Sequence, residues 1–184
     1  MKLSEVLTLI GCLVTCMSCS IKEDRDVCPC RLVLDMHEVD TSVVKCVELV
    51  VSASGSFVVR DTLEVDEFAS GYVVDVPRED IAVGVYFGAS DNVDDLGGLD
   101  IEYGEECPQV YMHSSFVKAE GELVRENVLM RKNHCIMTIQ VESEKEFPFS
   151  LEAKGNIDGY EAGGKPSVGE FMYAMHADVS GTCT

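Results

Sequence analysis

The chain has 184 residues, with 14 Lys and Arg against 33 Asp and Glu, for a formal net charge of -19. So acidic a surface repels phosphate backbones and carries no local basic patch, which argues against a nucleic-acid partner. At 46% hydrophobic and 26% charged, it is also too apolar for a solvated disordered tail. The length suits one domain, or one domain and the start of another. Twenty-six Val against 13 Leu, with no Trp, favour strands. Val loses rotamer freedom in a helix and packs well on a pleat. The expectation is a soluble, acidic, mostly β protein.

The N-terminus reads as an export signal. Met1 and Lys2 form a minimal basic start, and residues 6–17 are apolar apart from Thr and Gly. Twelve residues are too few to cross a bilayer core of about 30 Å as a helix, but they suit the apolar stretch of a signal peptide. Cys12, Cys16 and Cys19 lie in or at the end of this run, where lipoprotein signals place their acylated cysteine. Leu9-Ile10-Gly11-Cys12 resembles the bacterial lipobox best, yet it leaves a short apolar stretch containing Glu5. Met17-Ser18-Cys19 gives a better length and a small residue before the cysteine, so Cys19 is the expected lipidation site. Residues 1–18 are then the signal peptide and the polar, acid-rich 19–27 a tether. Several acyl chains on Cys19 would anchor stably, where one chain binds only marginally.

Six cysteines follow Cys19: Cys28, Cys30, Cys46, Cys107, Cys135 and Cys183. Six thiols in an oxidising compartment allow 15 connectivities, which spacing alone leaves open. Cys28-Pro29-Cys30 is too tight to bridge itself without strain. Cys46 and Cys135 sit in apolar runs and read as small buried hydrophobes. Zinc-ligand spacings are missing, and His134 and Cys135 point to opposite faces of a strand, so structural cysteines are expected and no metal.

Period two dominates the middle of the chain. Leu32, Leu34 and Met36 alternate with Arg31 and Asp35, giving a half-buried strand. Residues 43–51 are nearly all apolar and suit a central strand, and Ser54-Gly55 marks a turn. Residues 57–65 alternate, as do 72–76 up to Pro77 and 81–87. Further strands are expected over 107–120, 122–130 and 134–142, with a shorter one at 149–153, although 120–127 leaves room for a helical turn. Short strands with turns between them imply an antiparallel β-sandwich over residues 28–154. Beyond it, Gly155, Gly159, Gly163, Gly164 and Pro166 thin the pattern, so 155–184 reads as a linker and the stub of a truncated second domain.

The longest irregular stretch, 88–106, holds Asp91, Asp94, Asp95, Asp100, Glu102, Glu105 and Glu106. Calcium takes six to eight oxygens, but the EF-hand register fails here, and a solvated acidic loop without a structural ion is expected. Enzyme signatures are missing: no G-x-S-x-G, no H-E-x-x-H, no G-x-x-x-x-G-K. His37, His113, His134 and His176 are scattered singly. Glu105 and Glu106 are adjacent, which is not the geometry that glycoside hydrolysis needs. The chain therefore reads as non-enzymatic, with no catalytic residue and no cofactor.

Three segments resemble the FimB/Mfa2 family of fimbrial anchor lipoproteins of Bacteroidales. The first runs from Cys19-Ser20-Ile21-Lys22-Glu23-Asp24-Arg25 to Cys28-Pro29 and Arg31-Leu32-Val33-Leu34-Asp35. The second is Val110-Tyr111-Met112-His113-Ser114-Ser115, then Gly121-Glu122, Val128-Leu129-Met130-Arg131-Lys132 and the run 136–141. The third is Gly155-Asn156-Ile157-Asp158-Gly159-Tyr160, followed by Pro166, Gly169 and Phe171. The chain departs from the family in its irregular lipobox and in lacking a second sandwich. The resemblance implies a transthyretin-like sandwich, an acylated Cys19 in the outer membrane, surface exposure, and a fimbrial shaft subunit as partner. The competing reading is a surface lipoprotein that binds a small ligand, a glycan or a host protein through its acidic loop.

Overall fold

The computed structural model describes residues 28–137, 139 and 151–175; the signal peptide, the whole tether with Cys19, His176 and Cys183 lie outside them. Strand β1 (Cys30–Asp35) follows its alternation, with Cys30, Leu32 and Leu34 buried and Arg31 in solvent. Strand β2 (Cys46–Ala53) starts three residues later than its apolar run suggests. Asp40 is the reason: its carboxylate accepts the Ser42 N–H at 2.9 Å and hydroxyl at 2.6 Å. Its carbonyl accepts the Val43 and Val44 N–H groups, so the chain is wound into turns before it can extend. Ser54 (φ 47°) and Gly55 (φ 72°) then make a two-residue hairpin to β3 (Ser56–Glu64), both central positions left-handed as that turn requires.

A single helical turn, α1 (Val65–Phe68), follows, closed by reciprocal Glu64 and Glu67 capping, and it buries Phe68. Strands β4 (Tyr72–Val76) and β5 (Asp80–Phe87) come next. After the irregular stretch with its short β6 (Leu99–Asp100) come β7 (Tyr111–Lys118), β8 (Leu123–Asn127) and β9 (Arg131–Lys132). The run 120–127 is thus strand rather than helical turn from Leu123 on. Of the strand expected over 134–142, residues 134–137 and 139 are not in strand, and the rest lie outside the described residues.

Two of the sheets among the described residues make the sandwich, with strand orders β4-β1-β8 and β3-β2-β5-β7-β9. Leu32, Leu34 and Val76 of the first pack on Val47, Leu49, Val51, Ile81, Val83 and Val85 of the second, and this all-β sandwich core is the expected one. One pair is parallel rather than antiparallel: β1 with β8. They stand far apart in sequence, which leaves the chain length that a parallel crossover needs.

The large sheet is buried on its other face too. Val50, Tyr86 and Met112 point away from the sandwich core and meet Ala89, Val93, Leu99, Ile101 and Val110 in a second apolar cluster. The acidic stretch 88–106 is therefore a roof over the sheet and not simply a solvated loop. Its carboxylates point outward, while every few residues an aliphatic side chain turns in.

Residues 151–175 carry β10 (Leu151–Gly155), β11 (Gly159–Tyr160), β12 (Pro166–Ser167) and β13 (Phe171–Met175). This glycine-rich stretch does not lie apart from the sandwich. β11 pairs with β6, Ile101 N–H donates to the Asp158 carbonyl at 2.7 Å, and Gly104 N–H to the Met172 carbonyl at 2.8 Å. Tyr160 and Phe171 pack against the second cluster.

Candidate functional site

Cys19 lies outside the described residues, so the site chemistry that can be followed is that of the roof and of β7. Arg60 organises the first. It projects from β3 and pairs through Nε and Nη2 with Glu48 on β2. Its Nη1 reaches Asp95 at 3.2 Å, and its Nη2 donates to the Ser90 and Val93 carbonyls at 3.2 and 3.1 Å. One guanidinium thus ties two strands to the acidic roof, using the planar fork that lysine lacks. Glu48 is only 8% exposed, and its Oε2 has no hydrogen-bond partner among the described residues. Asp94 ties the roof to itself by accepting the Leu96 and Gly98 N–H groups, each at 2.8 Å. Ser52 and Tyr86 donate to the Leu96 and Gly97 carbonyls at 2.8 and 2.6 Å, closing the roof on the sheet. Burial pushes the Tyr86 phenol up to about 12, with the Asp94 and Glu48 charges adding to it.

Glu105 and Glu106, with Asp91, Asp94, Asp100 and Glu102, line a cleft of about 500 Å³ at the outer side of the roof. Among the described residues no group of three or more His, Cys, Asp and Glu is placed to hold a metal ion.

The second polar cluster closes one end of the space between the sheets. His113 and Ser115, two apart on β7, face the same way and meet Glu126 of β8. Ser115 donates to Glu126 Oε1 at 2.8 Å, and His113 Nε2 lies 3.2 Å from the same oxygen. The Leu129 N–H points at His113 Nδ1 from 3.3 Å, which leaves Nε2 as the protonated nitrogen of the neutral ring. Burial holds His113 below its ordinary value, against the pull of Glu126. Ser, His and acid meet here, but serine and glutamate both approach the same ring nitrogen, with Ser115 Oγ at 3.3 Å. A nucleophile relay needs them on opposite nitrogens, so this trio is a packing arrangement. Beside it, Ser114, Leu129, Arg131, Asn133 and Gly164 line a cleft of about 280 Å³. The Ser114 hydroxyl is buried and lies against the Tyr86 phenol, tempering the rise of that phenol.

The other singled-out residues fall in different places. His37 bonds the exposed Asp35 carboxylate at 2.6 Å, which raises the imidazole and lowers the acid. His134 sits edge-on to Tyr111, ring centres 5.3 Å apart. Cys30 is buried and Cys46 partly so, whereas Cys135, expected to be a buried hydrophobe, is exposed because the chain leaves the sheet after β9. Arg60 and the His113 cluster were not singled out from sequence. Glu48 was the available signal, since a lone acid inside a central apolar strand demands a buried partner.

The chain matches no family model, no curated protein and no solved structure.

Proposed function

We propose that the chain is a non-enzymatic lipoprotein of the outer-membrane surface that anchors a fimbrial shaft. The observation that carries this reading is an order of parts: an apolar run, Cys19, an acid-rich tether, and then at once a β-sandwich. Ten residues separate Cys19 from Cys30, a reach of at most about 40 Å. The acyl chains hold the membrane, and the sandwich offers strand edges to the shaft subunit. β8 supports the second part. Among the described residues it pairs with β1 alone, at the end of its sheet, the position at which strand addition acts. The resemblance of the sequence to fimbrial anchors names the partner. Labelling cells with an alkyne fatty acid tests the attachment: Cys19→Ala should lose the label and Cys12→Ala should keep it. The opposite result would move the lipid to Cys12.

The cleft beside β7 favours a second reading, a surface lipoprotein that binds a small polar ligand or glycan. A guanidinium-bearing Arg131 and a carboxamide-bearing Asn133 line a volume suited to one sugar ring. Ligand-dependent thermal stabilisation would favour it over the anchor.

A further inference from the structure

We propose that Cys107 and Cys135 form a disulfide that clips the end of the acidic roof to the segment leaving β9. Register places them together. Tyr111 stands opposite Lys132 and Met112 opposite Arg131, and the pairing runs on beyond the strands, with the Asn133 N–H donating to the Val110 carbonyl at 3.0 Å. The His134 ring bonds that same carbonyl at 2.9 Å and packs edge-on to Tyr111. Two residues further on, this register sets Cys135 against Pro108, the neighbour of Cys107. Pro108 has no N–H to give, and the Val110 N–H turns back to its carbonyl at 2.9 Å, so the ladder stops there. Cys107, one residue beyond the position opposite Cys135, lies diagonally across from it, still within the Cα span that a disulfide bridges, and the break in the ladder at Pro108 releases its side chain from the strict alternation of faces. Both side chains are exposed, and the Cys107 thiol is raised first by desolvation and next by the charge of Cys135. Cys28 and Cys30 lack such an arrangement: one is exposed and the other buried in the core.

The step is an oxidation. Two thiols lose two protons and two electrons as one S–S bond forms, and a disulfide oxidant is reduced to two thiols. That the bond forms in the cell rests on the export proposed above, because the cytosol would keep both thiols reduced. The bond would fix the last residues of the roof, which otherwise hang on Val110.

The test uses the full chain, purified and incubated with oxidised glutathione, alkylated and digested with trypsin. Cys107 then lies in the peptide 79–118 and Cys135 in 133–145, each the only cysteine of its peptide. The expected result is a species joining these two peptides that reductant separates. Cys107→Ser should leave Cys135 alkylated, and oxidation should raise the melting temperature of the wild type by several degrees but not that of Cys107→Ser. Separate alkylation of both thiols after oxidation, or a link from either to another peptide, overturns the pairing. The linked pair in purified protein together with free thiols in protein trapped directly from cells would uphold the pairing and refute export.

Discussion

Arg60 answers a difficulty posed on the neighbouring strand, at Glu48. A carboxylate this deep in a central strand is costly unless a cation meets it, and Arg60 does so while its remaining N–H groups hold the roof. Replacing Arg60 with Met strands that charge and frees Ser90, Val93 and Asp95. The expected cost is about 2–4 kcal/mol in urea unfolding, and adding Glu48→Gln should return part of it. A loss under about 0.5 kcal/mol, as for an ordinary surface substitution, would show the pair to be incidental. His113 makes a pH-dependent contribution of known sign. Its folded value lies below the ordinary 6.5, so the unfolded chain binds the proton first. The contribution is complete above about 6.5 and is lost as pH falls from there through the lowered folded value. His113→Gln should therefore flatten the acid side of the stability profile. An unchanged profile would mean that the ring is already charged in the folded state. At this scale Glu48 was visible in the sequence as the interruption of an apolar run. Its partner was not, because Arg60 lies on another strand whose register includes a bulge at Val51/Ser52. The His113 cluster was hidden for a related reason, since it joins strands of different sheets.

Strands that alternate cleanly, such as β1 and β4, were legible because one period decides both the backbone and the buried face. The roof was not. Val93, Leu99 and Ile101 follow neither period, and the carboxylates around them give the composition of a solvated loop. The glycines of 155–169 were ambiguous in another way, because glycine serves a linker and a close approach equally well. Gly159 serves an approach: a Cβ there would collide with the Leu99 carbonyl, and Gly163 lies in the same way against the Phe116 ring. Gly159→Ala should therefore pull β11 off β6. The expected signs are a loss of about 1–3 kcal/mol and faster proteolytic cleavage within both 88–106 and 155–175. Cleavage confined to 155–175 would mean that the roof stands without β11.

The molecule as a whole is a sandwich whose larger sheet is roofed by its own acidic loop and by residues 151–175. Its net charge of -19 repels anionic headgroups. Under the proposed function, attachment would fall to Cys19, and contact with the shaft to edge strands of the two sheets. The sandwich could be read from short alternating strands, whereas its partner could be read only from a resemblance, because an open edge looks the same whatever strand it receives. The measurement that tests the anchor most directly is to cross-link living cells, recover the chain from detergent-solubilised outer membranes, and identify the proteins bound to it. A fimbrial shaft subunit should come down with wild-type protein in the membrane fraction, and with Cys19→Ala in the soluble fraction. Recovery of the chain from the membrane with no fimbrial subunit in either sample would contradict the account.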